Sequence, residues 1–494
     1  TMLLATAGTA LVGAAGVYAW RVGRLGGGST AVTGNSVAVL PFKNISGDSG
    51  QDYFSDGLSE ELRSTLARNL NLQVMAQASC AKFRDRKEDA VTIASLLGVA
   101  YLLDGTVRKS GDVARITADL IDGRTGFSRW SQSFDRSLHD IFAVQSEIAR
   151  TVAGALTAAM VPGPKLPAGS AGVLAAEGGT RIAQAYDAYL KGRALYDLSA
   201  DEASDRAALE QFDAAIAADP NFAPAHAARA RSLTAIANQY GNAGQLGELY
   251  ESAIESAQRA IEIAPGLAEA YSTLGFTLFQ GRLDARGARE PFERSRELGA
   301  GEATVLARFA QYCARVGRKQ DATAAIQRAL LLDKLNPLIH RAAGAIEYAA
   351  RNYAASIPPA RQALQMNPRM SRAHAAIGDA LFMLGRFDEA RTEYLAEPAA
   401  DFRLTGLAVV EHRLGNEKPA RDALAKIDAE GARVRYQQAQ ILAQWGQADA
   451  AIQRLQQARA IGDSGLVYAR NDPWLDPLRN DPRFTELLNS IGFE

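Results

Sequence analysis

From about residue 186 to residue 462 the apolar positions recur as paired helical stripes at a constant interval. Ala208, Ala253 and Ser356 each stand twelve residues before a closing proline, Pro220, Pro265 or Pro368. The same register, stepped by 34 residues, reaches Ala322 and Ala390. Upstream of each lies a second stripe with its own small residue: Ala230, Gly275, Ala310, Gly344 and Gly378, the last four separated by 35, 34 and 34 residues. Two antiparallel helices of a dozen residues cannot bury their apolar faces alone, so such pairs must stack on one another. Small residues are needed where helix axes come closest, since a bulkier side chain there costs roughly 1–3 kcal/mol.

The pattern ahead of the array is different. Residues 36–42, Ser-Val-Ala-Val-Leu-Pro-Phe, form a short apolar run that predicts a buried strand. Phe54, Leu58, Leu62 and Leu66 step by four and predict an amphipathic helix over 52–69. A second strand is expected at 72–76 and a second helix at 89–99. Alternation over 101–108 and 113–121, around Ser110-Gly-Asp, predicts a hairpin, with another strand at 127–134 and a long helix at 138–160. Residues 36–160 thus predict a small mixed α/β domain. The Pro/Gly-rich stretch 161–180 reads as a linker, and 23–35 as a Gly/Ser/Thr linker.

Residues 2–20 carry no charge, and at 1.5 Å per residue they span roughly 28 Å, close to a bilayer's hydrocarbon thickness. A transmembrane helix over 2–22 is expected, with a signal peptide as the alternative. Ala5, Thr9 and Gly13 form a line of small residues that would suit span-mediated contacts or a dimer, or would be an accident of composition. The expected fold class is α+β: an N-terminal transmembrane helix, the α/β domain at 36–160, an all-α superhelix at 181–462 and a C-terminal cap at 463–494.

Two resemblances sharpen this. The array resembles tetratricopeptide (TPR) repeats, best at Ala-Tyr-Ser-Thr-Leu-Gly (270–275) and Leu-Gly-Arg-Phe-Asp-Glu-Ala (384–390). The segments 36–62, 97–108 and 140–149 resemble the TolB-like domain. That resemblance implies a bacterial signalling protein in which a membrane span is followed by this domain and then by TPRs. Ahead of the span there is frequently a winged-helix domain or a class III adenylate cyclase. It also implies that the soluble part lies outside the cytoplasm, whereas Arg21 and Arg24 alone would place it inside. The expectation adopted is a single-pass bacterial inner-membrane protein with a periplasmic soluble part.

Composition removes several functions. The 494 residues have a net charge of −1, so no general attraction to nucleic acid is expected. The two cysteines, Cys80 and Cys313, fall in different predicted units and define no disulfide or zinc spacing. Of the five histidines, His226, His340 and His374 share one repeat slot with Tyr271 and Leu306, which favours packing over ligation. Gly26-Gly-Gly-Ser-Thr lacks the lysine of a phosphate loop. No catalytic order can be assembled, so a non-enzyme without cofactor or metal is expected.

Recognition is therefore expected in the concave TPR groove, by protein partners. The candidate residues are Arg231, Phe276, Phe279, Gln311, Arg341, Tyr348, Arg372, Asp379 and Phe382. For Phe276, Phe279, Tyr348 and Phe382 the competing reading is that they seal helix packing. The expected function is a membrane-anchored interaction scaffold or sensory module. The alternatives are the regulatory half of a class III adenylate cyclase or winged-helix regulator, or an accessory subunit of a membrane complex.

Overall fold

The computed structural model describes residues 34–67, 72–110, 113–137, 147–148, 151–152, 154, 178–198, 201–241 and 244–493. Six strands form one sheet: β1 (Ser36–Val39), β2 (Lys43–Asn44), β3 (Gln73–Val74), β4 (Tyr101–Ser110), β5 (Val113–Asp122) and β6 (Ser128–Ser137). The order is β3-β1-β4-β5-β6, with β2 also pairing β4. The pairs β1–β3, β1–β4 and β2–β4 are parallel, and β4–β5 and β5–β6 antiparallel. Strand β1 is buried on both faces. Val37 and Val39 point to the α1 (Asp52–Ala67) side, and Ala38 and Leu40 to the α2 (Ala90–Leu97) side. That double burial is why its sequence reads as a continuous apolar run. Helix α2 starts on the Asp89 carboxylate, which accepts from the Thr92 amide at 2.7 Å, and ends on left-handed Gly98.

Among the described residues sixteen helices then build the array: α3 (Ala183–Leu198), α4 (Glu202–Ala218), α5 (Ala223–Tyr240), α6 (Leu246–Ile263), α7 (Ala268–Gly281), α8 (Arg289–Leu298), α9 (Ala303–Arg315), α10 (Lys319–Leu332), α11 (Pro337–Ala349), α12 (Tyr353–Met366), α13 (Ala373–Met383), α14 (Phe387–Ala396), α15 (Ala400–Arg413), α16 (Glu417–Ala429), α17 (Arg435–Gln444) and α18 (Ala448–Ile461). Each pairs with its successor, and each first helix packs on the first helix of the next pair, giving a TPR-like superhelix. The small residues sit where the repeat demands them. A Cβ on Gly275 would stand 3.0 Å from the Phe292 ring, on Gly344 2.9 Å from the Ser356 carbonyl oxygen, and on Gly378 2.5 Å from the Tyr394 ring.

The sheet unit and the first repeats share one core. Phe54, Leu58 and Leu62 of α1 join Val37, Leu103, Ile116 and Phe134 of the sheet and Tyr186, Tyr189, Leu190 and Phe212 of α3 and α4 in a single buried cluster. A second dock lies farther along the array. The Ala76 amide donates to the Leu332 carbonyl at 2.8 Å, and the Ser79 hydroxyl bonds Asp333 at 2.6 Å.

Two expectations are corrected. The fold class was expected to include an N-terminal transmembrane helix, and the location to be the inner membrane with a periplasmic soluble part. Among the described residues no helix is long and apolar enough to cross a membrane, and the span expected at 2–22 lies outside the described residues. The fold is a TPR-like helical superhelix carrying a small mixed sheet, and the membrane location is withdrawn. The expectation rested on the length of an uncharged run, and a run rich in Ala and Gly reaches that length with little apolar surface per residue.

Candidate functional site in the superhelix lumen

The C-terminal segment runs along the concave side of the array. It is built from short turns, each started by an aspartate. Asp463 accepts from the Gly465 amide, Asp472 from Trp474 and Asp481 from Arg483, each at 2.9 Å. Proline follows Asp472 and Asp481 at the first helical position, where a missing N–H costs nothing. These caps produce a turn at Ser464–Tyr468, a second at Pro473–Leu478 and helix α19 (Pro482–Ser490).

From α18 this segment reaches back across the array. Asn471 donates to the Ala314 and Arg315 carbonyls at 2.7 and 2.9 Å, satisfying the end of α9. Asp476 takes both guanidinium arms of Arg351, at 2.5 and 2.6 Å. Trp474 packs against Phe382, with ring centroids 5.9 Å apart. The Ile491 carbonyl accepts from the Ala285 amide at 2.8 Å, and Phe493 meets Phe279 edge-on at 6.2 Å.

This arrangement divides the nine expected groove residues. Phe279 and Phe382 are buried, one under Phe493 and the other under Trp474. Tyr348 stands 5.4 Å from Tyr353, and burial raises its hydroxyl well above the usual range. Asp379 accepts from the Tyr394 hydroxyl at 2.9 Å. Burial pushes its carboxyl up to about 8, and Asp472 and Glu397 add to the effect. Arg231 pairs with Glu269 at 2.6 Å and stacks 4.3 Å from the Tyr196 ring. Phe276, Gln311, Arg341 and Arg372 remain together on the wall of an open cavity of about 920 Å³.

Arg308, Arg315, Phe402 and Tyr468 join them there, none of which was expected. Arg308 lies 5.3 Å over Phe276, and Arg372 4.1 Å over Phe402. Arg315 lies 4.2 Å over Tyr468 and donates to its hydroxyl at 2.8 Å. The Nε of Arg341 is buried without a hydrogen-bond partner among the described residues. Arg372 is held in the left-handed region, φ 69°, because Glu397 accepts from its amide at 2.9 Å and from the Ala375 amide at 3.0 Å. That conformation costs a non-glycine residue about 1–2 kcal/mol. The arginines come from repeat slots 308, 315, 341 and 372, which share no interval. Arg341 and Arg372 were expected in the groove from the sequence, and Arg308 and Arg315 were not.

Burial lowers the guanidiniums of Arg308, Arg315 and Arg341 below the usual arginine range. Arg231 adds to this at Arg308, Arg372 at both Arg315 and Arg341, and Arg315 at Arg341. Burial would raise the Tyr468 phenol, but Arg315, Arg372 and Arg341 together bring it down to about 8. Among the described residues there is no cluster of His, Cys, Asp or Glu that could hold a metal ion.

No protein-family model matches the chain. A protein of Rhizobium meliloti (strain 1021), "Putative adenylate cyclase 3", is 34% identical over 251 residues, which is 50% of this chain and 41% of that protein. The chain therefore spans well under half of that relative's length. Among solved structures, a human IFIT1 dimer with m7Gppp-AAAA is similar over 56% of this chain and 72% of its own, at 12% identity and a TM-score of 0.43. A thermophilic TPR protein of Thermus thermophilus, TTC0263, is similar over 40% of this chain and 99% of its own, at 19% identity and a TM-score of 0.33. A tetratricopeptide repeat protein of Parabacteroides merdae ATCC 43184 is similar over 53% and 98%, at 18% identity and a TM-score of 0.36. Such distant likenesses carry no argument about function, and the helix-pair assignment rests on this chain's own packing.

Proposed function

We propose that this chain is a non-enzymatic recognition module of a signalling protein, receiving a protein partner at the lumen of its TPR-like superhelix. One observation carries the reading. The concave face is not fully sealed by the C-terminal segment, and four of the nine expected groove residues remain on the wall of a 920 Å³ cavity. A structural superhelix alone has no use for buried, unpaired polar groups, which cost stability. The resemblance of residues 36–62 to TolB-like domains belongs to the same reading.

A photocrosslinking amino acid at Gln311, on the cavity wall, is compared with one at Leu395, which is 59% exposed. The same partner trapped from Gln311 and not from Leu395, in the cell of origin, supports recognition in the lumen. Equal trapping from both positions, or none from Gln311, refutes it.

A second reading is the regulatory half of a class III adenylate cyclase, favoured by the 34% identical match to part of the Rhizobium meliloti protein. Here the purified chain makes no cyclic AMP from ATP but changes the rate of the cognate catalytic domain when added to it. Turnover by the chain itself, or no effect on the catalytic domain, counts against this reading.

A further inference from the structure

Arginines outnumber acids on the wall of the lumen cavity. Arg308, Arg315, Arg341 and Arg372 all line it, while no lysine does. The acids on the same wall are Asp401, Glu430 and Asp463. Asp401 and Asp463 form no ion pair with any of the four arginines among the described residues. Asp463 is already engaged, accepting from the Tyr436 and Gly465 amides at 3.0 and 2.9 Å. Three of the guanidiniums lie over rings instead: Arg308 over Phe276, Arg372 over Phe402 and Arg315 over Tyr468, whose hydroxyl accepts from it. The buried Nε of Arg341 has no hydrogen-bond partner among the described residues.

Gathering such cations inside a protein is costly, because each loses hydration and repels the others. Selection for stability alone would replace them, since apolar groups of the same volume are neutral or better there. Planar guanidiniums are the groups that grip phosphate oxygens with two parallel bonds. The Tyr468 hydroxyl, an acceptor as a phosphate oxygen is, already takes a bond from Arg315 at 2.8 Å. A cavity of this volume suits a nucleotide-sized molecule.

We propose that the lumen cavity is a receptor site for a small, multiply charged phosphoanion, an oligophosphate of nucleotide size held by Arg308, Arg315, Arg341 and Arg372. This goes beyond the proposed protein partner by adding a small ligand at the same lumen, and it rests on the reading of the lumen as the recognition surface. The bound anion neutralises the arginine cluster and ties α9, α11 and α13 to Tyr468 of the C-terminal segment. Ligand occupancy would thereby stiffen the contact between segment and array.

The test is calorimetric titration of the chain with sodium tripolyphosphate and with ATP, against sulfate at matched ionic strength. Tripolyphosphate should bind at least tenfold more tightly than sulfate. Arg315→Gln and Arg341→Gln should each weaken it tenfold or more. Arg341→Met separates this from a structural role: the unliganded chain should melt at the same or a higher temperature while binding is lost. Binding no tighter than sulfate, or unchanged in the arginine variants, overturns the proposal. Equal binding of an oligoglutamate peptide overturns it too, by assigning the site to carboxylates. Tighter binding of a phosphoserine peptide than of tripolyphosphate keeps the phosphoryl chemistry but overturns the small-ligand source. Trapping of a partner from Gln311 without any phosphate affinity would sink this inference alone and leave the proposed function standing.

Discussion

Gly57, in the middle of α1, tests whether the sheet unit and the array are one cooperative body. A Cβ at this position would stand 2.3 Å from Leu190 Cδ2 and 3.0 Å from Leu190 Cγ. Leu190 cannot swing away, because it is 1% exposed and enclosed by the shared core. Gly57→Ala should therefore incur an overpacking cost of about 1–3 kcal/mol. Replacing a mid-helix glycine returns about 1 kcal/mol of backbone propensity. The net expectation is a destabilisation of up to about 2 kcal/mol. Leu190→Ala alone should cost about 2–5 kcal/mol by leaving a cavity. Combined, the new methyl group enters part of that cavity, so the pair should cost less than the sum of the singles by about 1 kcal/mol or more. Urea unfolding of the four chains, followed by circular dichroism, gives the cycle. Hydrogen exchange in peptides from β4 and from α3 and α4 shows whether both sides loosen together. Stabilisation by Gly57→Ala with strict additivity of the pair, or loosening of only one side, would refute the shared core.

Other consequences are testable in the same preparation. Asp379 has a carboxyl raised to about 8 from an ordinary 3.8, so the folded chain binds its proton more tightly than the unfolded chain. Its contribution is present below about pH 4 and is lost as the pH rises towards 8. Asp379→Asn should then gain stability relative to the wild type between those limits and none below them; a pH-independent difference would contradict this. Trp474→Ala empties a 3%-exposed site against Phe382 and should cost about 3–5 kcal/mol, with faster exchange in residues 464–493; a cost under about 1 kcal/mol would mean the segment is not anchored there. Burial raises the thiols of Cys80 and Cys313, the latter to about 12. A disulfide reagent at pH 8 should therefore label neither before unfolding and both after it, and rapid labelling of the native chain would show the thiols to be accessible.

The helix pairs were legible because close packing writes itself into sequence at fixed intervals. Gly275, Ala310, Gly344 and Gly378 are small for one reason, and the reason recurs in every pair. The strands were legible by alternation: β5 buries Ala114, Ile116, Ala118 and Leu120 on a single face. Half of the candidate site escaped notice. Phe279 and Phe382 were read as groove residues because their repeat positions face inward, but Phe493 and Trp474 cover them from more than 90 residues away in sequence. The covering segment is held by aspartate caps and short turns, which have no period to detect. Arg308 and Arg315 were not among the expected groove residues, and only the folded array shows them on the same wall as Arg341 and Arg372.

The bond from the Ala285 amide to the Ile491 carbonyl, with Phe493 lodged against Phe279, fastens the last residues to the third pair of helices. An ordinary array of repeats is a spring with free ends, and units can be added or lost with little effect on the others. This one is a spring with a clip across its coils. Deleting or duplicating one 34-residue unit between α9 and α18 would rotate and translate α19 away from Ala285 and carry Trp474 off Phe382 in the same step. The clip therefore ties the repeat number to the position of the closing segment, so that a substitution within a repeat leaves it shut while the gain or loss of a whole unit opens it.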